Sequence, residues 1–563
     1  MGYFNRNIFN KFWSIAKLYW TGNEKRGAFT LLAILGLLLI AYTQLSVLLN
    51  ESQGALISNL AAKNESAFWR TVLRFLIILV IYVPLFAGFS YTQNKLGLYW
   101  RRWLTHYFLE GYFRKRNFYK LTVNNKEIDN PDQRIAEDVR SFTQDSLLFL
   151  LVIIQSLLQV FAFSAVLWSI SPKLVIFLFC YAIIGTIITT VIFGKKLVQL
   201  NYAQLQKEAN FRFGLVRVRE NAESIAFYRG EAQEKSNLSN LFKELFRNFN
   251  MLILWQELYL GIFVNTYEFL PYIIPAMVVA PSVLSGELEV GKVSEATGAF
   301  ARVFFSLNII VSRFQSLTYF VAGIERLWGL NQFINEGKEQ KLTTHRPVIE
   351  IVENGKLALQ NLTLQTPNYH NTLVEDLSFE LPPGRGLLIM GASGCGKSSL
   401  LRAIAGLWNS GKGRIIRPSL EKILFLPQKP YMIIGTLRQQ LIYPRVEMNI
   451  TEGELEEILK MVNLGDLPER FEGFDVEKDW SEVLSLGEQQ RIAFARILIN
   501  RPEYVILDEA TSALDPRNES LLYQHLYHLN TTFVSVGHRE SLKKYHHYLL
   551  TMREDNSWVL ESL

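Results

Sequence analysis

Apolar residues recur without a polar face in six runs, near 27–49, 68–92, 146–168, 174–194, 252–280 and 297–323. Each run can cross ~30 Å of hydrocarbon. Stretches such as LLAILGLLLIAY and FLIILVIYVPLFAGF lack the charged side that a surface helix keeps in water. The pattern predicts six membrane spans rather than a large soluble helical domain. The connections at roughly 93–145 and 195–251 are polar but not rich in Gly, Pro or Ser. Within them, KLGLYWRRWLTHYFLEGYF and YAQLQKEANFRFGLVRVRENAESIAFYRG place apolar residues three to four apart, so the spans are expected to continue as helices into the cytosol before turning back. Ahead of the first span, Phe4, Ile8, Phe12, Ile15 and Tyr19 recur at helical spacing among basic residues, as in a helix lying along the membrane interface. A soluble amphipathic helix is the alternative.

The placement of charge orients the spans. The net charge of +6 could indicate a nucleic-acid binder, but the basic residues collect in particular connections. Arg101, Arg102, Arg114, Lys115 and Arg116 follow the second run, Lys195 and Lys196 follow the fourth, and Arg6, Lys11, Lys17, Lys25 and Arg26 precede the first. Loops at 50–67, 169–173 and 281–296 carry few. This is the positive-inside asymmetry, and it places both chain ends in the cytosol without any need for nucleic acid. The first run is too long for a signal-peptide core and has no small-residue cleavage site close behind it, so the N-terminus is expected to be kept. Two cysteines, Cys180 and Cys395, are too few for a disulfide framework and fit a reducing cytosol.

At 563 residues, 49% of them hydrophobic, the chain is too long for one core. The expected division is an interfacial helix at 1–26, a membrane domain at 27–334, a polar linker at 335–348 containing NEGKEQKLTTHRP, and a soluble α/β domain at 349–563. In the last, LLIMGASGCGKSSLLRAIAGL reads strand, Gly-rich loop, helix, and Gly391-x4-Gly396-Lys397-Ser398 fits the P-loop pattern. The backbone of Gly391, Ala392, Ser393, Gly394, Cys395 and Gly396 would close around phosphate oxygens. Lys397 would reach the β and γ phosphates of ATP, and Ser398, followed by Ser399, would ligate Mg²⁺. Cys395, beside Lys397 at a helix N-terminus, is expected to alkylate readily. Further on, YVILDEATSALD gives apolar strand residues followed by Asp508, placed for a water-mediated Mg²⁺ contact, and Glu509, placed to take a proton from attacking water.

Between these motifs lies LSLGEQQRIAFAR at 484–496, and here the chain resembles the ATP-binding cassette (ABC) transporters, whose signature is LSGGQ. The resemblance extends to Gln428 in LPQKPYM as the Q-loop and a further Mg²⁺ ligand, to Ser512–Asp515 as the D-loop, and to His538 in VSVGHR as the switch histidine. It implies that Ser485 and Gly487 present a hydroxyl and a backbone amide to the γ-phosphate. The signature departs from the family at Leu486, where glycine is usual, and at Glu488, where glutamine is usual. The usual place of the adenine-stacking aromatic holds Thr366-Pro367, with Tyr369 the nearest candidate. In this family each ATP lies between the P-loop of one cassette and the signature of another. One chain would therefore be a half-transporter, most simply a homodimer with two composite sites on an exporter-type membrane fold.

NPDQRIAEDVRSF at 130–142, RENAESIAFYRGE at 219–231 and RFQSLTYFVAGIERL resemble the subfamily of peroxisomal acyl-CoA and lysosomal cobalamin carriers and its bacterial relatives. The resemblance implies a transporter of an amphipathic cargo, either an acyl-CoA-like lipid, a cobalamin or a peptide, in a bacterial inner membrane or an organelle membrane. A membrane-embedded regulatory ATPase without cargo is the alternative. Within the fifth run, Glu257 and Glu268 are eleven residues apart, close to three helical turns, with Gly261 and Asn265 on the same stripe. A carboxylate facing lipid is costly, so the stripe is expected to line a wet cargo cavity. The alternative is that Glu268 hydrogen-bonds a neighbouring span.

Overall fold

The computed structural model describes residues 6–124, 128, 131–309, 313–336 and 347–563. The chain forms two compact units, Met1–Lys341 and Leu342–Leu563. Most of the expected linker at 335–348 lies outside the described residues.

The first unit is helical. Its main elements are α1 (Arg6–Trp20), α2 (Lys25–Ala61), α3 (Glu65–Phe113), α4 (Pro131–Ile170), α5 (Pro172–Gly194), α6 (Lys195–Glu220), α7 (Ala222–Tyr228), α8 (Glu231–Leu284), α9 (Gly291–Leu307) and α10 (Phe314–Glu336). Boundaries follow local chemistry. Asn64 starts α3 by accepting from the Ala67 amide at 3.1 Å, and Ser171 is extended before Pro172, whose fixed φ suits the first turn of α5. The 49 residues of α3 span about 74 Å, more than twice the hydrocarbon thickness, so this helix does project beyond a bilayer.

Among the described residues, five helices, α2, α3, α4, α5 and α8, are long and apolar enough to cross a membrane. The sixth expected run, 297–323, falls on α9 and α10 and on residues 310–312 between them, which lie outside the described residues. Large apolar side chains on these helices face outward, Leu37 at 70% and Phe161 at 74% exposure, a surface suited to lipid and not to water. Inside, helices meet closely where side chains are small. A Cβ on Gly291 would sit 1.9 Å from the Gly54 carbonyl oxygen, so only glycine permits the approach of α9 to α2.

The apolar stripe of helix α1 packs on the helical unit. Ile8, Ile15 and Tyr19 are buried in the bundle, with Tyr19 stacked on Trp100 at 5.7 Å and Phe12 against Phe142 at 5.4 Å. This stripe therefore faces protein, while Phe9 and Trp13 are exposed on another face. Amphipathic spacing shows that an apolar stripe must be covered but not by what. Phe4 lies outside the described residues.

The second unit is α/β. It contains β1 (Glu350–Glu353), β2 (Leu357–Gln365), β3 (Thr372–Leu381), β4 (Gly386–Gly391), β5 (Gly411–Arg417), β6 (Ile423–Leu426), β7 (Ile434–Gly435), β8 (Lys478–Asp479), β9 (Tyr504–Asp508), β10 (Thr532–Val536), β11 (Tyr548–Met552) and β12 (Trp558–Ser562). A six-stranded sheet runs β12-β11-β4-β10-β9-β6, parallel except at β12, beside a four-stranded sheet ordered β1-β5-β2-β3. The strands β9 and β10 are buried on both faces, β9 through the apolar run Tyr504–Leu507 and β10 with Thr532 and Ser535 buried among Phe533, Val534 and Val536.

Candidate ATP site

The parallel sheet gathers the chemistry at one edge. In register, Val536 pairs with Ile389 and Asp508, and Leu426 pairs with Leu507, so β4, β6, β9 and β10 end together. Their next residues are the phosphate loop, Gln428, Glu509 and His538. Ligands of open α/β sheets bind at this carboxyl edge.

The loop after β4 has the conformation its glycines allow. Gly391, Gly394 and Gly396 hold φ values of 151°, 87° and 100°. A Cβ on Gly391 would lie 2.3 Å from the Met552 carbonyl oxygen, whereas one on Gly394 would meet nothing. Ala392, Ser393 and Gly394 thus form an open rim, and Lys397 is buried beneath it at the start of α11 (Lys397–Ile404). Its ammonium donates to the carbonyls of Gly391 at 2.9 Å and Ala392 at 2.7 Å, which fixes the loop around a positive charge. Such a cradle fits phosphate. Ser399 continues α11, partly buried. Cys395 corrects an expectation: its thiol is 9% exposed and packed in the core below the loop, so position beside Lys397 does not give a reagent access.

Ser398 Oγ donates to Asp508 Oδ1 at 2.8 Å. Burial pushes the Asp508 carboxyl above its ordinary range, with the Ser398 hydrogen bond pulling the other way and Glu509 adding to the rise. The neighbouring Glu509 is engaged at both oxygens. Gln428 Nε2 donates to Oε2 at 3.0 Å, and His538 Nε2 lies 3.1 Å from Oε1. Glu509 also holds φ at 50°, an uncommon conformation for a residue with a side chain, maintained by its amide bond to Val536 O and by the Ser512 amide on its own carbonyl. A carboxylate so oriented, beside the His538 imidazole, can accept a proton from water at a phosphate.

The signature segment opens α12 (Leu486–Asn500). Ser485 is its N-cap and shares a capping box with Glu488: Ser485 Oγ and N donate to Glu488 Oε2 at 2.8 and 2.9 Å. The other Glu488 oxygen accepts from Arg470 at 2.6 Å. Burial pushes the Glu488 carboxyl up, but the Arg470 and Ser485 hydrogen bonds outweigh it and hold the group below the ordinary range. The glutamate that departs from the family pattern therefore has a structural use, and neither of its oxygens is free for nucleotide. Sequence reasoning missed Arg470, which carries no motif. Because the Glu488 carboxyl is depressed on folding, its contribution is present above the usual carboxylate range and is lost as pH falls through the folded value. An Arg470→Met protein should be less stable at pH 7, by on the order of 1 kcal/mol given the half-exposed arginine, and converge on wild type once pH has fallen below the depressed folded value of Glu488; melting curves over a series of pH values from 7 into acid check this.

Gly487 packs against the D-loop, where a Cβ would come within 3.3 Å of the Ala513 oxygen. One turn on, Gln490 was also missed, although i, i+3 spacing from Gly487 puts it on the same face. Tyr369 lies in the turn between β2 and β3 at φ 62°, and its hydroxyl donates to Pro347 O at 3.1 Å.

In the membrane unit, Glu257 lies in a π-helical segment, Leu254–Leu260, inside α8. Hydrogen bonds there span five residues, so the 3.6 period assumed between Glu257 and Glu268 is broken. Gly261, Asn265 and Glu268 keep a common stripe in the α-helical part, with Asn265 donating to Gly261 O at 2.8 Å. Glu257 and Asn265 are exposed and Glu268 is half-buried. Beside Glu268, Tyr267 stacks on Tyr181 at 4.6 Å and contacts Phe304 at 4.9 Å, so this level of α8 is anchored to α5 and α9.

The comparisons agree with this geometry. The family profile "ABC transporter transmembrane region 2" matches residues 15–284, and the profile "ABC transporter" matches 374–512. An uncharacterized ABC transporter ATP-binding protein of Synechocystis sp. is 46% identical over 95% of this chain and 81% of its own length. ABC transporter D family member 2, chloroplastic, of Arabidopsis thaliana is 36% identical over 99% and 89%. The lysosomal cobalamin transporter ABCD4 of Mus musculus is 32% identical over 98% and 96%. A solved bacterial Atm1-family ABC exporter with ATP bound has the same fold, with a TM-score of 0.74 at 18% identity over 96% of this chain and 95% of that one. A multi-pass membrane unit joined to a cassette whose P-loop, Asp508, Glu509, Gln428 and His538 meet at one sheet edge makes this chain an ATP-hydrolysing member of the ABC transporter family, among the subfamily D half-transporters and their bacterial relatives.

Proposed function

We propose that the chain works as a homodimer that couples ATP hydrolysis to movement of an amphipathic cargo, an acyl-CoA-like lipid, a cobalamin or a peptide, across a bacterial inner membrane. The single observation that supports it most is the ring Gln428–Glu509–His538 beside Ser398–Asp508, a complete hydrolytic set that a regulatory scaffold would not need. Glu509 takes a proton from water as that water attacks the γ-phosphorus, the bond to the β-γ bridging oxygen breaks, and ADP and phosphate leave. The oxygen donors of Ser398, Gln428 and Asp508 would hold Mg²⁺, which neutralises phosphate charge when bound. Ser485 and Gly487 make no hydrogen bond to the phosphate loop of their own chain among the described residues, which supports completion of each site by the second copy. ATP then closes the two cassettes and hydrolysis reopens them, alternating access to a central cavity.

The cargo class is tested by reconstituting the protein in lipid and measuring ATPase activity against acyl-CoAs, cobalamin, peptides and phospholipids. Stimulation by one class supports the transporter reading, and an unchanged rate with all of them counts against it. Glu268 is proposed to face that cargo or to carry a proton. Glu268→Gln should then abolish transport or its pH dependence while basal ATPase persists, and normal transport across the pH range would leave Glu268 a structural residue.

A further inference from the structure

Gln490 has no solvent exposure, yet its carboxamide is fully used. Its Nε2 donates to Gln428 O at 2.9 Å and to Ser512 Oγ at 3.3 Å, and its Oε1 accepts from the Ala513 amide at 3.1 Å. A methionine would fill this space without the desolvation cost of a primary amide, so packing alone does not call for glutamine here.

The two segments it ties flank the same carboxylate. The Gln428 side chain donates to Glu509 Oε2 at 3.0 Å, and the Ser512 amide donates to the Glu509 carbonyl at 3.0 Å. Glu509 sits in an uncommon backbone conformation that its neighbours must maintain. The far side of the D-loop is held as well: Thr511 donates to buried Glu519 at 2.7 Å, and Arg539, next to His538, donates to Glu519 at 3.1 Å and to Leu514 O at 3.0 Å. Only the Gln490 carboxamide, however, bonds both the Gln428 and the Ser512–Ala513 segments among the described residues.

We infer that Gln490 is a positioning residue for hydrolysis: its carboxamide locks the Gln428 segment to the D-loop and thereby sets Glu509 between Gln428 and His538, without touching nucleotide. A displacement of Gln428 carries Ser512 with it, so the two loops respond to ATP as one body. The inference rests on Glu509 serving as the hydrolytic carboxylate.

The full-length protein in lipid nanodiscs tests it, with Gln490→Met and Gln490→Glu compared with wild type. Both variants should lower kcat by about tenfold or more while leaving KM and ATP affinity within about twofold, because the hydrogen bonds of the carboxamide orient Glu509 and do not bind substrate. The glutamate keeps an oxygen toward the Ala513 amide and loses the donor toward Gln428 O. Hydrogen exchange at the Ala513 amide should be slow in wild type, remain slow in the glutamate variant and speed up in the methionine variant. A kcat within about twofold of wild type in either folded variant, or a raised KM with unchanged kcat, overturns the inference. Should neither variant fold, fast exchange of Ala513 in the wild-type protein overturns it and slow exchange supports the lock. Glu509→Gln separates the two claims: wild-type hydrolysis in that protein removes the reading on which this rests, while a dead Glu509→Gln with a fully active Gln490→Met removes only the role of Gln490.

Discussion

Glu509→Gln protein is expected to bind ATP with near wild-type affinity and to hydrolyse it more slowly by on the order of 10²–10⁴-fold. The substitution preserves shape. A carboxamide oxygen can still accept from Gln428 Nε2, and its NH₂ can donate to the unprotonated nitrogen of His538, so the ring around position 509 stays closed. What disappears is the basic oxygen that takes the proton from water. ATP should therefore hold the cassettes together, and the dimer should accumulate in its closed form, detectable by cross-linking or by light scattering of the isolated complex. Hydrolysis near the wild-type rate would remove Glu509 from its proposed role.

Lys397→Ala should act one step earlier. The ammonium is 5% exposed and donates to two carbonyls of the loop that it anchors. Removal loses a charge-assisted contact to phosphate and leaves Gly391 O and Ala392 O without those donors, so the cradle loosens as well. A charged hydrogen bond of about 1.5–3 kcal/mol converts to a loss of ATP affinity of roughly 10- to 100-fold. Titration with a fluorescent ATP analogue checks this, with a melting curve showing that the fold survives. Unchanged affinity would count against the phosphate loop as the binding site. The two variants together separate binding from turnover.

Much of the cassette was legible because its motifs carry their own structural grammar. An apolar strand followed by Gly391-x4-Gly396-Lys397-Ser398 can only place a loop at a sheet edge, and the same holds for YVILDE ending in Asp508 and Glu509. The partners that close the site were not legible. Arg470 and Glu488 lie 18 residues apart in sequence and form their ion pair only in the fold, and Gln490 looks like any helical glutamine until α12 is laid against the D-loop. Cys395 shows the converse: a residue can sit in a reactive motif and still be shut away by packing.

In the membrane unit, hydropathy marked six runs, and five of them fall on helices that are long and apolar enough to cross among the described residues, because length and apolarity are properties of the segment itself. Which face a helix shows, and to what, is a property of its neighbours. The spacing on α1 indicates an interfacial helix but not that Tyr19 of its stripe stacks on Trp100. The spacing between Glu257 and Glu268 departs from an ideal 3.6 period for a backbone reason, since that period does not announce the π segment at Leu254–Leu260.

The most direct test of the whole account is transport in sealed proteoliposomes that carry the wild-type chain or Glu509→Gln, loaded with a fluorescent member of the cargo class that stimulates the ATPase. The account predicts ATP-dependent redistribution of that cargo across the membrane with wild type, and none with ADP or with Glu509→Gln. Equal redistribution by both proteins, or a wild-type protein that hydrolyses ATP while every cargo class stays in place, would contradict it.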